Sequence, residues 1–149
     1  MTLRTRIFLM AIIALTTGCE SEGPGETQEN CEANHEYVGK RAPLTGYAHD
    51  ISGYISVVDD CTLELTEFNY DGAGLDVKLI AGEAGVSGDD QYVNGAVLSE
   101  DLRKSGGYAD ATVSIPLPTS VTLDDFTNMS LWCVSVGENF ADASFNDLE

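Results

Sequence analysis

Cysteine is the residue of this chain with the widest chemical repertoire, and it occurs four times, as Cys19, Cys31, Cys61 and Cys133. Cys133 lies in "SLWCVSVGENF" (130–140), directly after the only tryptophan and inside an apolar run. It has three readings: a redox thiol, half of a disulfide, or a small buried hydrophobe. With Cys19 committed to a different role below, Cys31, Cys61 and Cys133 allow at most one intramolecular disulfide and leave one thiol. The favoured pair is Cys61 with Cys133, because both fall on predicted strands inside the domain. Cys31 with Cys61 is the next choice. An activated thiolate needs a neighbouring cation or a helix N-terminus, whereas the residues around Cys133 offer Glu138 and no Lys or Arg. The local charge therefore argues against a strongly activated nucleophile.

Other catalytic constellations are weaker. His35 and His49 are the only imidazoles, and neither sits in a metal-ligand spacing or a Cys-x-x-Cys-His haem attachment motif. No nucleophile elbow supports a hydrolase triad, and a glycosidase carboxylate pair cannot be picked from 25 acids. No recognisable catalytic constellation emerges, which leans away from an enzyme. Calcium is a secondary candidate: Asp71 and Asp76 bracket "DGAGLD", and Asp89 and Asp90 follow a glycine, so hard oxygen ligands stand in turns. The spacing is not that of an EF-hand loop, and turn chemistry accounts for the same residues. Asn128-Met-Ser130 has the form of a glycosylation sequon and is read as coincidental.

The elements that must position these groups are strands. "YISVV", "CTLELTEF", "LDVKLIAG", "QYVNGAVLS", "ATVSIPLP" and "SLWCVSV" are short, rich in β-branched and aromatic residues, and separated by Gly, Asp, Asn or Pro. Leu63 and Leu65 alternate with Glu64 and Thr66, and Val113, Ile115 and Leu117 with Ser114, Pro116 and Pro118, the period of a strand with one buried face. Pro116 predicts an edge strand or a strand end. "LSEDLRKS" (98–105) is expected to form at most a short helical turn, and "DGAG" (71–74) and "SGDD" (87–90) tight turns. Along 131–136, Trp132, Val134 and Val136 make the more apolar face and are assigned to the core; Cys133 then points with Leu131 to the opposite layer or to solvent. The expected architecture is a single all-β domain, an antiparallel β-sandwich or partly closed barrel.

The N-terminal region reads as an address. Arg4 and Arg6 precede the apolar stretch Ile7–Leu15, too short to span a bilayer, and "TTGC" ending at Cys19 resembles the lipobox of bacterial lipoproteins, with Thr16 where Leu, Val or Ile is usual. Residues 1–18 are expected to be a signal peptide and Cys19 the lipidated mature N-terminus, anchoring the protein in the bacterial cell envelope, facing the periplasm or the exterior. Each buried CH2 of an acyl chain contributes about 0.8 kcal/mol, and stable anchoring takes more than one chain. "ESEGPGETQEN" (20–30) lacks core-forming residues and is expected to be a disordered acidic tether; 31–149 is then the folded domain. The formal charge of the whole chain is −18, and loss of Arg4 and Arg6 makes it two units more negative. Nucleic acid is excluded as a partner on that ground, and the lipid rather than charge would hold the protein at an anionic membrane.

The order "AHDISGYISVVDDCTLELTEFNYDGAGLDVKLIAG" followed by "LWCVSVGENFADASF" resembles the DM-thirteen domain, also called the electron-transfer DM-thirteen domain, over about Tyr37 to Phe145. Its most specific elements are Phe68-Asn-Tyr70-Asp71-Gly72 and Trp132-Cys133 with Phe140. Leu75 stands where the family usually has Pro, and Ala141 where it usually has Gly. The resemblance implies a β-sandwich-type fold and a role in redox or electron transfer through Cys133, either as a bare thiol or as a ligand to a prosthetic group such as haem, with an envelope redox partner. The competing expectation is a noncatalytic binding or adhesion module, in which Cys133 is a structural disulfide partner and acidic loops hold cations.

Overall fold

The structure is a computed structural model and describes residues 31–149. The signal peptide, Cys19 and the tether expected at 1–30 lie outside the described residues. In chain order the elements are β1 (Arg41–Pro43), β2 (Thr45–Gly46), β3 (Ser52–Asp59), β4 (Thr62–Tyr70), β5 (Val77–Ala81), α1 (Asp90–Val93), β6 (Ala96–Val97), β7 (Tyr108–Pro116), β8 (Asn128–Cys133) and β9 (Glu138–Ser144), with a closing 3-10 turn at Phe145–Asp147. One sheet has the order β1-β3-β4-β7 and the other β2-β9-β8-β5-β6, antiparallel throughout. Both sheets end in free edges, so of the two architectures expected the fold is the β-sandwich and not a barrel. β7 is an edge strand and ends at Pro116, where the missing N–H would break a ladder.

The core lies between the sheets. Ile55, Leu63, Leu65 and Phe68 meet Val77, Leu79, Met129, Leu131 and Ala141, all fully buried, each larger side chain contributing about 1.5–3 kcal/mol of transfer free energy. β4 changes parity on the way: Leu63 and Leu65 point inward, and so do Phe68 and Tyr70, three and five positions after Leu65. Strict alternation would have turned both aromatics to solvent. A bulge at Glu67, whose φ is +50°, inserts the extra residue, and the register to β7 shifts between Leu65 and Phe68. A second shift, between Phe68 and Tyr70, goes with Asp110 of β7 at φ +49°. Together the two bulges restore the pairing and bring Tyr70 opposite Tyr108.

Two segments depart from expectation. The strand predicted over 91–99 is the short helix α1 followed by the two-residue β6. The helical turn predicted within 98–105 is absent. Instead the chain runs along β5 as irregular backbone, and side chains complete the ladder: Ser99 Oγ accepts from the Leu79 N–H at 2.8 Å and Asp101 Oδ1 from the Val77 N–H at 3.1 Å. Ser and Asp compete with regular structure by this kind of bond.

Candidate functional site

The cysteine pairing differs from the one favoured on sequence. Cys31 and Cys61 form the disulfide, with Cα atoms 5.7 Å apart, and Cys133 is the free thiol, buried at 1 % exposure. The reason is topological: Cys61 sits in the β3–β4 turn of one sheet, where the segment before β1 returns to it, whereas Cys133 ends β8 in the other sheet. The expected face of β8 is also reversed. Leu131 and Cys133 face the main core, Trp132 joins Ile80 and Tyr92 in a small separate cluster, and Val134 and Val136 lie past the strand end at 43 % and 55 % exposure. Tyr92 of α1 covers Trp132, with ring centroids 5.9 Å apart, so β8 is covered on both faces.

The cover over Cys133 is the turn after β4, residues 71–76. The Cys133 Sγ–H donates to the Leu75 carbonyl at 3.1 Å, and the Val134 N–H donates to the Asp76 carbonyl at 3.0 Å. The turn is pinned from within: the Tyr70 hydroxyl donates to the Ala73 carbonyl, and the Ala73 N–H donates to Asp71 Oδ1 at 2.7 Å. His49 Nδ1 meets Asp71 Oδ2 at 2.9 Å, and the His49 ring packs on Phe140 with centroids 4.4 Å apart. Gly72 (φ +77°) and Gly74 (φ +116°) allow the close approach: a Cβ on Gly74 would come within 3.0 Å of the Phe140 ring and 3.3 Å of the Tyr70 hydroxyl. The structure thus gathers Cys133, Tyr70, Asp71, Gly72 and Phe140 around one turn and leaves Trp132 on the outer face.

Aromatic contact extends this cluster. Tyr70 stacks on Tyr108 with centroids 6.2 Å apart and planes 8° from parallel, and Phe68 packs on both. Burial pushes the Tyr70 phenol up to about 12, helped by the nearby Asp71 and Cys133, so Tyr70 remains a neutral donor across the physiological range. His49 and Tyr108 were not singled out on sequence as members of this cluster; only the strand register brings them to positions 71 and 70.

Asp71 is the acid-sensitive pin. The Ala73 N–H first, then His49, hold its carboxyl below the ordinary value of 3.8. A carboxylate lowered in the folded state contributes stability that is complete above the ordinary value and lost as pH falls through the lowered one. Replacing Asp71 by Asn removes that increment, so native-state labelling of Cys133 by a small maleimide at neutral pH is expected to accelerate, and the ratio of the Asp71→Asn rate to the wild-type rate at the same pH to fall towards one only below pH 3.8. Identical rates at neutral pH would show that Asp71 does not hold the cover.

The acids considered for calcium do not gather. Asp71 is bonded to His49, Asp76 lies 3.3 Å from Lys78 Nζ, and Asp89 accepts from the Asn139 amide at 3.2 Å. Among the described residues the one trio of ligating side chains within reach of a single ion is Cys31, Asp59 and Cys61, two of which are spent on the disulfide. Haem does not fit at Cys133 either. The sulfur is enclosed by the core and hydrogen-bonded to the Leu75 carbonyl, and the cleft of about 900 Å3 beside β7 is lined by no Cys, His or Met.

Residues 43–145 match the family model described as "Electron transfer DM13". Two curated Drosophila melanogaster proteins are similar: Protein Skeletor isoforms B/C, 32% identical over 121 residues, covering 76% of this chain and 15% of that protein, and Protein Skeletor isoforms D/E, 32% identical over 121 residues, covering 76% of this chain and 8% of that protein. The chain therefore spans only a small part of the length of these relatives. No solved structure matches. On the match of residues 43–145, which include Cys61, the 71–76 turn and Cys133, the chain belongs to the electron transfer DM13 family.

Proposed function

We propose that this protein is a bacterial envelope lipoprotein, anchored through Cys19, whose DM13 domain exchanges electrons with an envelope partner through Cys133. The observation that supports this most is the placement of the free thiol: it lies under the family-specific turn, beside Tyr70 and away from the disulfide. Burial dictates the chemistry. A bare thiolate or a cation radical stranded in an apolar core is costly, so the electron and proton leave together. The S–H bond breaks, one electron passes to a one-electron oxidant docked at the surface, the proton passes to solvent past Leu75, and reduction reverses both transfers. Tyr70 and Tyr108 give the electron a path of adjoining rings.

The test uses the full chain expressed with its own leader. Cys133→Ser keeps the size and a donor to the Leu75 carbonyl; it is expected to abolish the reversible one-electron signal in voltammetry while shifting the unfolding free energy by no more than about 1.5 kcal/mol. Cys19→Ser is expected to release the protein from membranes with the signal intact. Absence of a reversible signal in the wild type would leave the noncatalytic binding module as the better reading, a signal unchanged in Cys133→Ser would take the redox role away from Cys133, and unchanged membrane retention in Cys19→Ser would remove the anchor.

A further inference from the structure

The sandwich is open along one side. There the free edge of β7 and the segment 97–102 beyond β6 stand apart, and the cleft between them has a volume of about 900 Å3, at the upper end of the range for small-molecule sites. Its floor is apolar, with Leu98, Leu102 and Ile115 buried there, while Val97, Val113 and Pro116 share the walls with the polar Ser99, Glu100 and Ser114. Tyr108 lines one end, where it also stacks on Tyr70.

The charges at the rim are largely spent on each other. Lys78 pairs with Asp76, and the Asp101 carboxylate accepts from the N–H groups of Val77 and Arg103 and pairs with the Arg103 side chain. Lys104 adds a positive charge, its Nζ 4.7 Å from the Tyr108 ring centroid, and exposed Glu100 on the rim adds a negative one, so these groups supply no net positive charge to hold an anion, in a chain with 25 acidic and 7 basic side chains. Lys78 still has two N–H donors to offer a neutral carbonyl oxygen. The tyrosine ring and the proline rings of Pro116 and Pro118 favour a flat occupant over a globular one.

We propose that this cleft binds a neutral, planar, apolar electron carrier of the quinone class, its ring against Tyr108. The choice of a redox-active ligand rests on the electron-transfer reading above; the shape, charge and polarity of the site do not. Tyr108 and Tyr70 then connect the bound ring to Cys133 through contiguous side chains, with Tyr70 close enough to the thiol for the two to interact electrostatically. Nothing is bonded to the ligand; the cleft positions it.

The probe is tetramethyl-1,4-benzoquinone, whose ring carbons are all substituted and cannot alkylate a thiol, titrated into the exported protein and followed by calorimetry and by amide chemical shifts. Saturable binding is expected, with shifts centred on residues 97–102 and 113–116. Val113→Trp fills the cleft and should weaken binding at least tenfold. Ser114→Trp, at an exposed position on the mouth, gives the same test without touching the core, and native folding of each variant is checked by its amide spectrum. Cys133→Ser should leave the affinity within twofold. Absence of saturable binding, or wild-type affinity in both tryptophan variants, overturns the site. Binding that the tryptophan variants weaken, together with a voltammetric signal that survives Cys133→Ser, keeps the site and overturns the role of Cys133 instead.

Discussion

Cys31→Ser/Cys61→Ser lowers the unfolding free energy by about 3–4 kcal/mol and frees the segment ahead of β1. The bridge spans 30 residues of sequence, and the chain-entropy relation gives about 3.6 kcal/mol at 25 °C for a loop of that length. The native contacts around the bridge add to the effect. Asp60 Oδ1 accepts from the N–H groups of Asn34 and His35 at 3.0 and 2.9 Å, and the Asp60 N–H donates to the Glu32 carbonyl at 2.8 Å. These bonds fasten residues 32–35 to the β3–β4 turn only while the two stay together. Tyr37, which packs on Phe145 at 4.8 Å between centroids, should loosen with them. Urea unfolding of the oxidised wild type and the double variant measures the difference, and hydrogen exchange at residues 32–38 locates it. A loss below about 1 kcal/mol, with exchange unchanged there, would mean that the turn is held by its hydrogen bonds and not by the bridge.

Leu131→Ala should cost about 2–5 kcal/mol, the range for truncating a fully buried leucine, while Val136→Ala changes stability by less than about 0.5 kcal/mol, as at an ordinary surface site. Leu131 is at 0 % exposure in the middle of β8, paired with Leu79 on one side and Ala141 on the other. Val136, five residues on, is at 55 % exposure in the turn that joins β8 to β9. The contrast tests the orientation of Cys133 as well, because residues 131 and 133 share a strand face. Equal costs at the two positions would place Leu131 and Cys133 on the outer face after all.

The residues of "SLWCVSV" explain why that orientation was misread. Alternation identifies the inner face only when the outer face is wet, and β8 has a sheet against one face and Tyr92 over Trp132 on the other. With both faces apolar, the two exposed valines tipped the choice, although they belong to a turn. β4 shows the opposite case. The alternation at Leu63 and Leu65 identified its strand and inner face, but only the bulge at Glu67 explains why Phe68 and Tyr70 also face inward. The edge character of β7 was readable from Pro116, since a missing donor has a fixed geometric meaning. The His49–Asp71 and Tyr70–Tyr108 contacts were not, because residues 22 and 38 positions apart meet only through the pairing register of strands. The cysteine count was enough to say that one thiol stays free; which one depended on the path of residues 31–40 back to the β3–β4 turn.

That path has a mechanical consequence. A pull on the chain ahead of Cys31 does not travel through residues 32–60. The covalent bridge carries it directly to Cys61, at the turn between two central strands, β3 and β4. The 30-residue loop it closes is excluded from extension, which shortens the chain available to a stretching force by roughly 100 Å at about 3.5 Å per residue. β1 and β3 are shielded from tension as long as the bridge is oxidised, and reduction transfers the load to the hydrogen bonds at Asp60. The bridge therefore acts as a force limiter whose setting is the redox state of the compartment.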